Sequence, residues 1–308
     1  MFAGCLIAVA VLMLFYFTQT GKARSVKWGG GLYNTTYPLT QAVRVGQATR
    51  FRIAVVADPD TNSKVGDGWV SYLQYGYLTI SDSMDTVSVS WDVEEVQLKG
   101  NLAAGGRGME LSELQVFNGK LLSLDDRTGV VYQIVGGKVV PWVIMSDGGG
   151  VSTKGFKGEW STVKGHTMVV GGLGKEWTTS QGDVINHDPM WVKEVSMDGA
   201  VKHVDWRERY ILVRQAAGIS WPGYMIHEAV GWSQHRREWV FLPRRMSGEK
   251  YNDVTDEKMG SNVVITADES FKDIRVTTVG EKIPTHGFSS FKFVPGTKVR
   301  LFLCRISN

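Results

Sequence analysis

The chain has 308 residues, 43% hydrophobic and 21% charged, enough apolar surface for one large or two ordinary globular domains with a real core. Its 34 basic and 31 acidic residues leave a net charge of +3 without a long basic run, which excludes the charge profile of a nucleic-acid binder. The two cysteines, Cys5 and Cys304, do not make a disulfide framework, since Cys5 lies in an apolar run.

Residues 2–17, FAGCLIAVAVLMLFYF, are unbroken apolar. The run is short for a membrane-spanning helix and long for the apolar core of a signal peptide, so residues 1–20 read as a signal anchor or a cleaved signal. Either reading sends the remaining chain into the secretory pathway, on an ER or Golgi membrane if uncleaved and secreted if cleaved. Asn34-Thr35-Thr36 is then a usable glycosylation sequon. Residues 21–48 read as a stem, and residues 49–308 as the catalytic-size domain.

That domain divides into recurring units. Residues 51–98 open on FRIAVVAD, residues 108–145 on the stretch described below, and residues 156–206 on FKGEWSTVKGHTMVVGGLG. Residues 223–279 open on GYMIHEAVGWS, and residues 285–308 on THGFSSFKFVPGT. Each unit begins with a polar residue in a Gly-containing strand and runs into a hairpin, as in a propeller with insertions. Thirty-six glycines and few helical periods fit an all-β chain. One helix is predicted, around Trp206 to Ala217.

The densest signal is residues 106–134, GRGMELSELQVFNGKLLSLDDRTGVVYQI. Asn118-Gly119 joins two period-two runs as a tight hairpin, and Asp126 to Gly129 makes a second turn. Three short antiparallel strands and the start of a fourth form a propeller blade. These words, with KGEW, GGLGKEWTT, GYMIHEAVGWS, WVFLPRR and THGFSSFKFVPGT, resemble the calcium-activated nucleotidase (apyrase) family from Tyr33 to Thr297. The resemblance implies a five-bladed β-propeller with a calcium ion in its channel. It also implies calcium-dependent hydrolysis of nucleoside diphosphates and triphosphates to monophosphates.

The openings of successive units offer Ser112, Glu159, Glu228 and Ser289. First strands of blades line the channel, where two carboxylates and two serine oxygens make a hard site suited to Ca²⁺, and these positions match the family's calcium ligands. Polar residues on inner strands also bond channel water, the plainer alternative. Asp58 and Asp60, in ADPDTNS, suit holding an attacking water or an Asx turn, and the family uses this pair in its active site. Asp126 and Arg127 lie in LDDRTG, and Arg244 and Arg245 in FLPRR. Arginine forks suit phosphate oxygens, and by resemblance Asp126 and Arg244 belong to the nucleotide site. Lys175, Glu176 and Trp177 border it on the same grounds, Lys for phosphate and Trp for base stacking.

Several other motifs fail on their own spacing. GGLGKEW lacks the Ser or Thr of a phosphate loop, DPDTNS lacks the Gly and Glu of an EF-hand, and His227-Glu228 has Gly231 where a zinc helix needs a second His. The family pattern ends after Thr297, so the last blade is expected to be truncated and a closing Glu missing. That leaves a second function class open, a weak or inactive propeller that only binds. Partners expected are nucleotides, not nucleic acid, with a membrane through residues 2–17 if uncleaved. The residues do not give the oligomeric state, and a homodimer is one open assembly.

Overall fold

The computed structural model describes residues 31–295, and residues from Asn34 onward form a compact unit. Residues 2–17 lie outside the described residues. Among those described, no helix is long and apolar enough to cross a membrane.

The chain is all-β, in successive antiparallel sheets. β1 (Val43–Val45), β2 (Ala48–Ala57), β3 (Lys64–Val65), β4 (Gly68–Ser81) and β5 (Val87–Gly100) make the first. β6 (Leu111–Phe117), β7 (Lys120–Asp125), β8 (Val130–Val135) and β9 (Lys138–Ile144) make the second. The third starts with β10 (Trp160–Lys164) and β11 (Thr167–Gly171). A small ribbon of β12 (Trp177–Thr178) and β13 (Val184–Asn186) interrupts it before β14 (Trp191–Val195) and β15 (Val201–Asp205). After helix α1 (Arg207–Ala216) comes the fourth, β16 (Tyr224–Ser233), β17 (Glu238–Ser247), β18 (Val263–Asp268) and β19 (Ile274–Thr278), with helix α2 (Asp253–Asp256) between β17 and β18.

Local chemistry explains the turns. Asn118 and Gly119 both take positive φ, 49° and 70°, the geometry of a type I′ hairpin. Phe117 pairs with Lys120 across it. In the LDDRTG turn, Asp125 takes the backbone N–H of Arg127 on its carboxylate at 3.0 Å, which leaves Asp126 to point elsewhere. The predicted helix spans Arg207–Ala216, within a residue of expectation.

Sheets two to four are simple meanders, each with its first strand on one edge. Those first strands lie side by side, β6 against β10 and β10 against β16, and β2, the second strand of the first sheet, lies against β6. Apolar clusters fill the spaces between sheets. Leu73 and Leu98 of the first sheet pack with Leu111, Val130 and Tyr132 of the second. Trp160, Val169 and Val192 of the third pack with Val230, Trp239 and Phe241 of the fourth, under Tyr210 and Val213 of α1. This is a β-propeller arrangement.

Among the described residues it has four blades, not the five expected. Residues 285–295, which open the expected fifth unit, contain no strand. They occupy the sector between the fourth and first sheets by side-chain packing instead. Phe288, Phe291 and Phe293 pack on Val240, Leu242 and Val264 of the fourth sheet. Val294 packs on Phe51, Leu78 and Ile80 of the first. With no ladder partner beside it, the segment is held by burial, and Pro295 removes a backbone donor at its end.

Candidate active site in the central channel

The period of two puts alternate residues of a strand on one face. At the opening of each sheet this brings a polar residue to the inner edge, and the contacts run round the channel. The Ser112 hydroxyl donates to the carbonyl of Gly158 at 2.6 Å, beside Glu159. Glu159 feels the charge of Glu228 on the next sheet. Glu228 accepts two hydrogen bonds from Nη1 of Arg244, both 2.6 Å. The backbone of Arg244 lies against Gly287, where a Cβ would come within 1.9 Å of its carbonyl oxygen, so only glycine fits. Two residues on stands Ser289, with a buried hydroxyl that has no partner. Its neighbour Ser290 donates to Glu113 at 3.1 Å, and Glu113 adjoins Ser112. Ser112, Glu159, Glu228 and Ser289 thus stand around one channel, from three sheets and the 285–295 segment.

A second group of carboxylates lies beside the first. Asp58, Asp60 and Glu110 each bring one oxygen within 4.8 Å of the others. Asp58 accepts from the backbone N–H of Asp60 at 2.7 Å, an Asx turn that holds Asp60 at φ 53°. Arg107 clamps this group, binding Glu110 at 2.6 and 2.7 Å and also Asp60, with Arg127 3.8 Å from Glu110. The backbone N–H of Asp126 donates to the carbonyl of Glu110 at 3.1 Å. Lys157 joins the two groups, paired with Asp126 on one side and with Glu159 at 2.8 Å on the other.

Electrostatics follow from burial. Burial pushes the Glu159 carboxyl up to about 7, against the pull of Lys157 and with added repulsion from Glu228 and Asp126. Burial likewise raises Asp58, against its hydrogen bond from Asp60 and with help from Asp126, and raises Glu110 against Arg107. Burial opposes the Lys157 charge, but Glu159 and Asp126 outweigh it and keep the ammonium protonated. The carboxylates Asp58, Asp60, Glu110, Asp126, Glu159 and Glu228 outnumber the cations Arg107, Arg127, Lys157 and Arg244. An oxygen-only donor set with excess negative charge and an unpartnered buried Ser289 hydroxyl fits a hard divalent cation. Ser112, Glu159, Glu228 and Ser289 are one set that could hold it, and Asp58, Asp60 and Glu110, with oxygens within 4.8 Å of one another, are a second.

The remaining candidates lie apart from these groups. Lys175 is buried, donates to the Glu176 carbonyl at 2.9 Å and to Thr178 at 3.1 Å, and sits 4.1 Å above the Tyr251 ring. Burial pushes its ammonium down to about 8. The Glu176 carboxylate is taken by Arg214 of α1, in a buried pair at 3.1 Å. Trp177 is half-buried beneath the Lys154 ammonium at 4.4 Å. Arg245 is buried with Nη1 unpartnered. Asp256 connects this cluster to the channel, since both Lys175 and Arg244 feel its charge. Sequence reasoning missed Arg107, Glu110, Glu113, Lys157 and Lys292. One of them was legible, because Lys157 and Glu159 stand two residues apart in an extended segment and so share a face.

Fold and site together define an all-β propeller with an acidic, cation-lined channel. The sequence model of the apyrase family matches residues 58–306, and the chain belongs to that family. It is 56% identical over 267 residues to soluble calcium-activated nucleotidase 1 of Rattus norvegicus, covering 86% of this chain and 66% of the relative. The apyrase apy-1 of Caenorhabditis elegans is 51% identical over 258 residues, covering 83% and 73%. The apyrase of Cimex lectularius is 43% identical over 275 residues, covering 88% and 76%. The chain therefore spans just under two thirds of the length of the rat protein.

Proposed function

We propose that this chain is a calcium-dependent phosphoanhydride hydrolase that cleaves nucleoside diphosphates and triphosphates to monophosphates and phosphate. One observation carries the reading: Lys157 bridges Glu159 to Asp126, which lies beside the Asp58, Asp60 and Glu110 carboxylates, so acidic oxygens suited to a cation and fixed positive charge suited to phosphate share one site. Family membership and the name of the rat relative support it.

Ca²⁺ bound by Ser112, Glu159, Glu228 and Ser289 would supply Lewis-acid neutralisation of phosphate charge. The residues around it do the rest. Arg107, Arg127, Lys157 and Arg244 surround the space with fixed positive charge, the main requirement of phosphoryl transfer. Asp58 has its carboxyl raised by burial toward the range of a working base. Water bonds to the terminal phosphorus opposite the bridging oxygen, its proton passes to Asp58 or to Asp126 beside it, and the bridging P–O bond breaks to release inorganic phosphate and the nucleotide one phosphate shorter, so a triphosphate reaches the monophosphate in two rounds. Lys175, over Tyr251 and near Asp256, is placed to orient the nucleoside end.

The test is phosphate release from ADP, UDP, GDP and the matching triphosphates, with calcium and with a chelator. Release that persists under chelation, or no release at all, overturns the reading. Secretory placement belongs to the same reading and rests on residues 2–17 and on the exposed Asn34 of the sequon. Glycosidase sensitivity of the expressed chain, lost in Asn34→Gln, tests it.

A further inference from the structure

The carboxylates suited to a metal are already held by the protein's own cations. Lys157 holds Glu159 at 2.8 Å and Arg244 holds both oxygens of Glu228 at 2.6 Å. A calcium ion needs carboxylate oxygens at roughly 2.3–2.6 Å, and like charges that close repel strongly in a buried channel. We propose that Lys157 and Arg244 are resident counter-ions that a divalent cation displaces, and that their displacement turns both toward the phosphate chain. This rests on the function proposed above for what the freed charges then bind.

Three features favour displacement over simple coexistence. Lys157 has a second anchor in Asp126, so it can leave Glu159 while keeping one ion pair. The ammonium thereby stays within the channel rather than swinging into solvent. Arg244 spends Nη1 on Glu228, and a guanidinium carries five donors in a rigid fork, so most of its capacity remains for a phosphate. The two carboxylates are largely shielded from water, Glu159 at 7% and Glu228 at 12% side-chain exposure, while Lys157 at 23% and Arg244 at 28% keep an outlet to the open side of the site.

Metal and phosphate affinities are then linked. A cation at Glu159 and Glu228 releases the charges that recognise phosphate, and by reciprocity bound phosphate retains the metal. Lys157 and Arg244 act against the metal and for the anion, so their removal separates the two affinities in opposite directions.

The experiment is calcium titration calorimetry on the full chain without nucleotide, for wild type, Lys157→Gln, Arg244→Gln and Lys157→Arg. Each glutamine variant is expected to bind calcium about tenfold more tightly, the effect of removing one charge-assisted competitor. Lys157→Arg, which keeps the charge, stays near wild type. At saturating calcium, inorganic pyrophosphate binds the glutamine variants about tenfold more weakly. Lys157 lies in the loop before β10 and Arg244 in β17, and thermal melts identify any variant that fails to fold, so either one suffices. Unchanged or weaker calcium binding in the folded glutamine variants overturns the proposal. The titration contains no nucleotide, so a failure of the hydrolase reading shows separately, as absent phosphate release from a wild-type chain whose calcium affinities still follow the pattern.

Discussion

At the scale of single residues, the acidic turn at Asp58 has two jobs to distinguish. Its carboxylate accepts from Asp60 N–H, and Asn accepts the same bond. Asp58→Asn therefore keeps the turn but loses the base. Turnover should fall by a factor of about 10² to 10⁴ while the melting temperature holds, and a phosphate-release assay beside a thermal melt checks it. Full activity in Asp58→Asn would leave the residue a turn former only. His227 offers a second residue-scale test. Burial, with a smaller push from Arg214, drives its imidazole down to about 3, against about 6.5 in an unfolded chain. The folded state then refuses a proton that the unfolded state accepts. The neutral ring's contribution is complete above pH about 6.5 and is lost as pH falls toward 3, at up to roughly 1.4 kcal/mol per pH unit. Melting of His227→Gln between pH 7 and 4 should show a shallower decline than wild type, and parallel curves would refute the assignment.

At the scale of elements, α1 is tied to the loop before β12 by the buried pair of Arg214 and Glu176. The helix also buries Tyr210 against the ring of His227, 5.3 Å between centroids. Removing one member of a buried pair leaves the other charged and unpaired, at a cost of about 3–5 kcal/mol. Arg214→Met should therefore destabilise strongly in urea, and adding Glu176→Gln should restore much of the loss. If Glu176→Gln alone also raises KM for the nucleotide, the carboxylate reaches substrate as well as Arg214. An unchanged KM assigns it to anchoring the loop that carries Lys175.

At the scale of the whole molecule, the donors suited to calcium come from three sheets and one strandless segment. Their juxtaposition exists only in the folded chain, so under the proposed function calcium is expected to bind the native state and not the unfolded one. Stabilisation should approach about 2.7 kcal/mol at a calcium concentration of 100 times Kd. Melts with and without millimolar calcium check this, and Glu228→Gln should abolish most of the rise. The segment itself depends on Phe291, buried in the fourth sheet's cluster, with its ring over Gly231 where a Cβ would come within 2.6 Å. Phe291→Ala should cost about 3–5 kcal/mol and weaken calcium binding, because it loosens the strandless segment that presents Ser289. Calcium affinity that survives the substitution would remove Ser289 from the donor set.

Turns, strand runs and one helix were legible because they follow from neighbours in the chain. Asn118-Gly119 needs positive φ whatever surrounds it, and period-two runs such as Leu111–Phe117 declare a buried face without reference to a partner. Ser112, Glu159, Glu228 and Ser289 could be singled out as candidates because they recur at the openings of successive units. Tertiary structure alone decided which charges meet. Lys157 is 31 residues from Asp126, and Lys292 is 179 from Glu113, and no local rule pairs them. It also decided the four blades of the described residues, because residues 285–295 pack by side chains and make no strand ladder. Sequence by itself thus determined the elements and the chemistry each could offer. Long-range packing, which brings inner strands to one channel, decided which carboxylates are held by which cations.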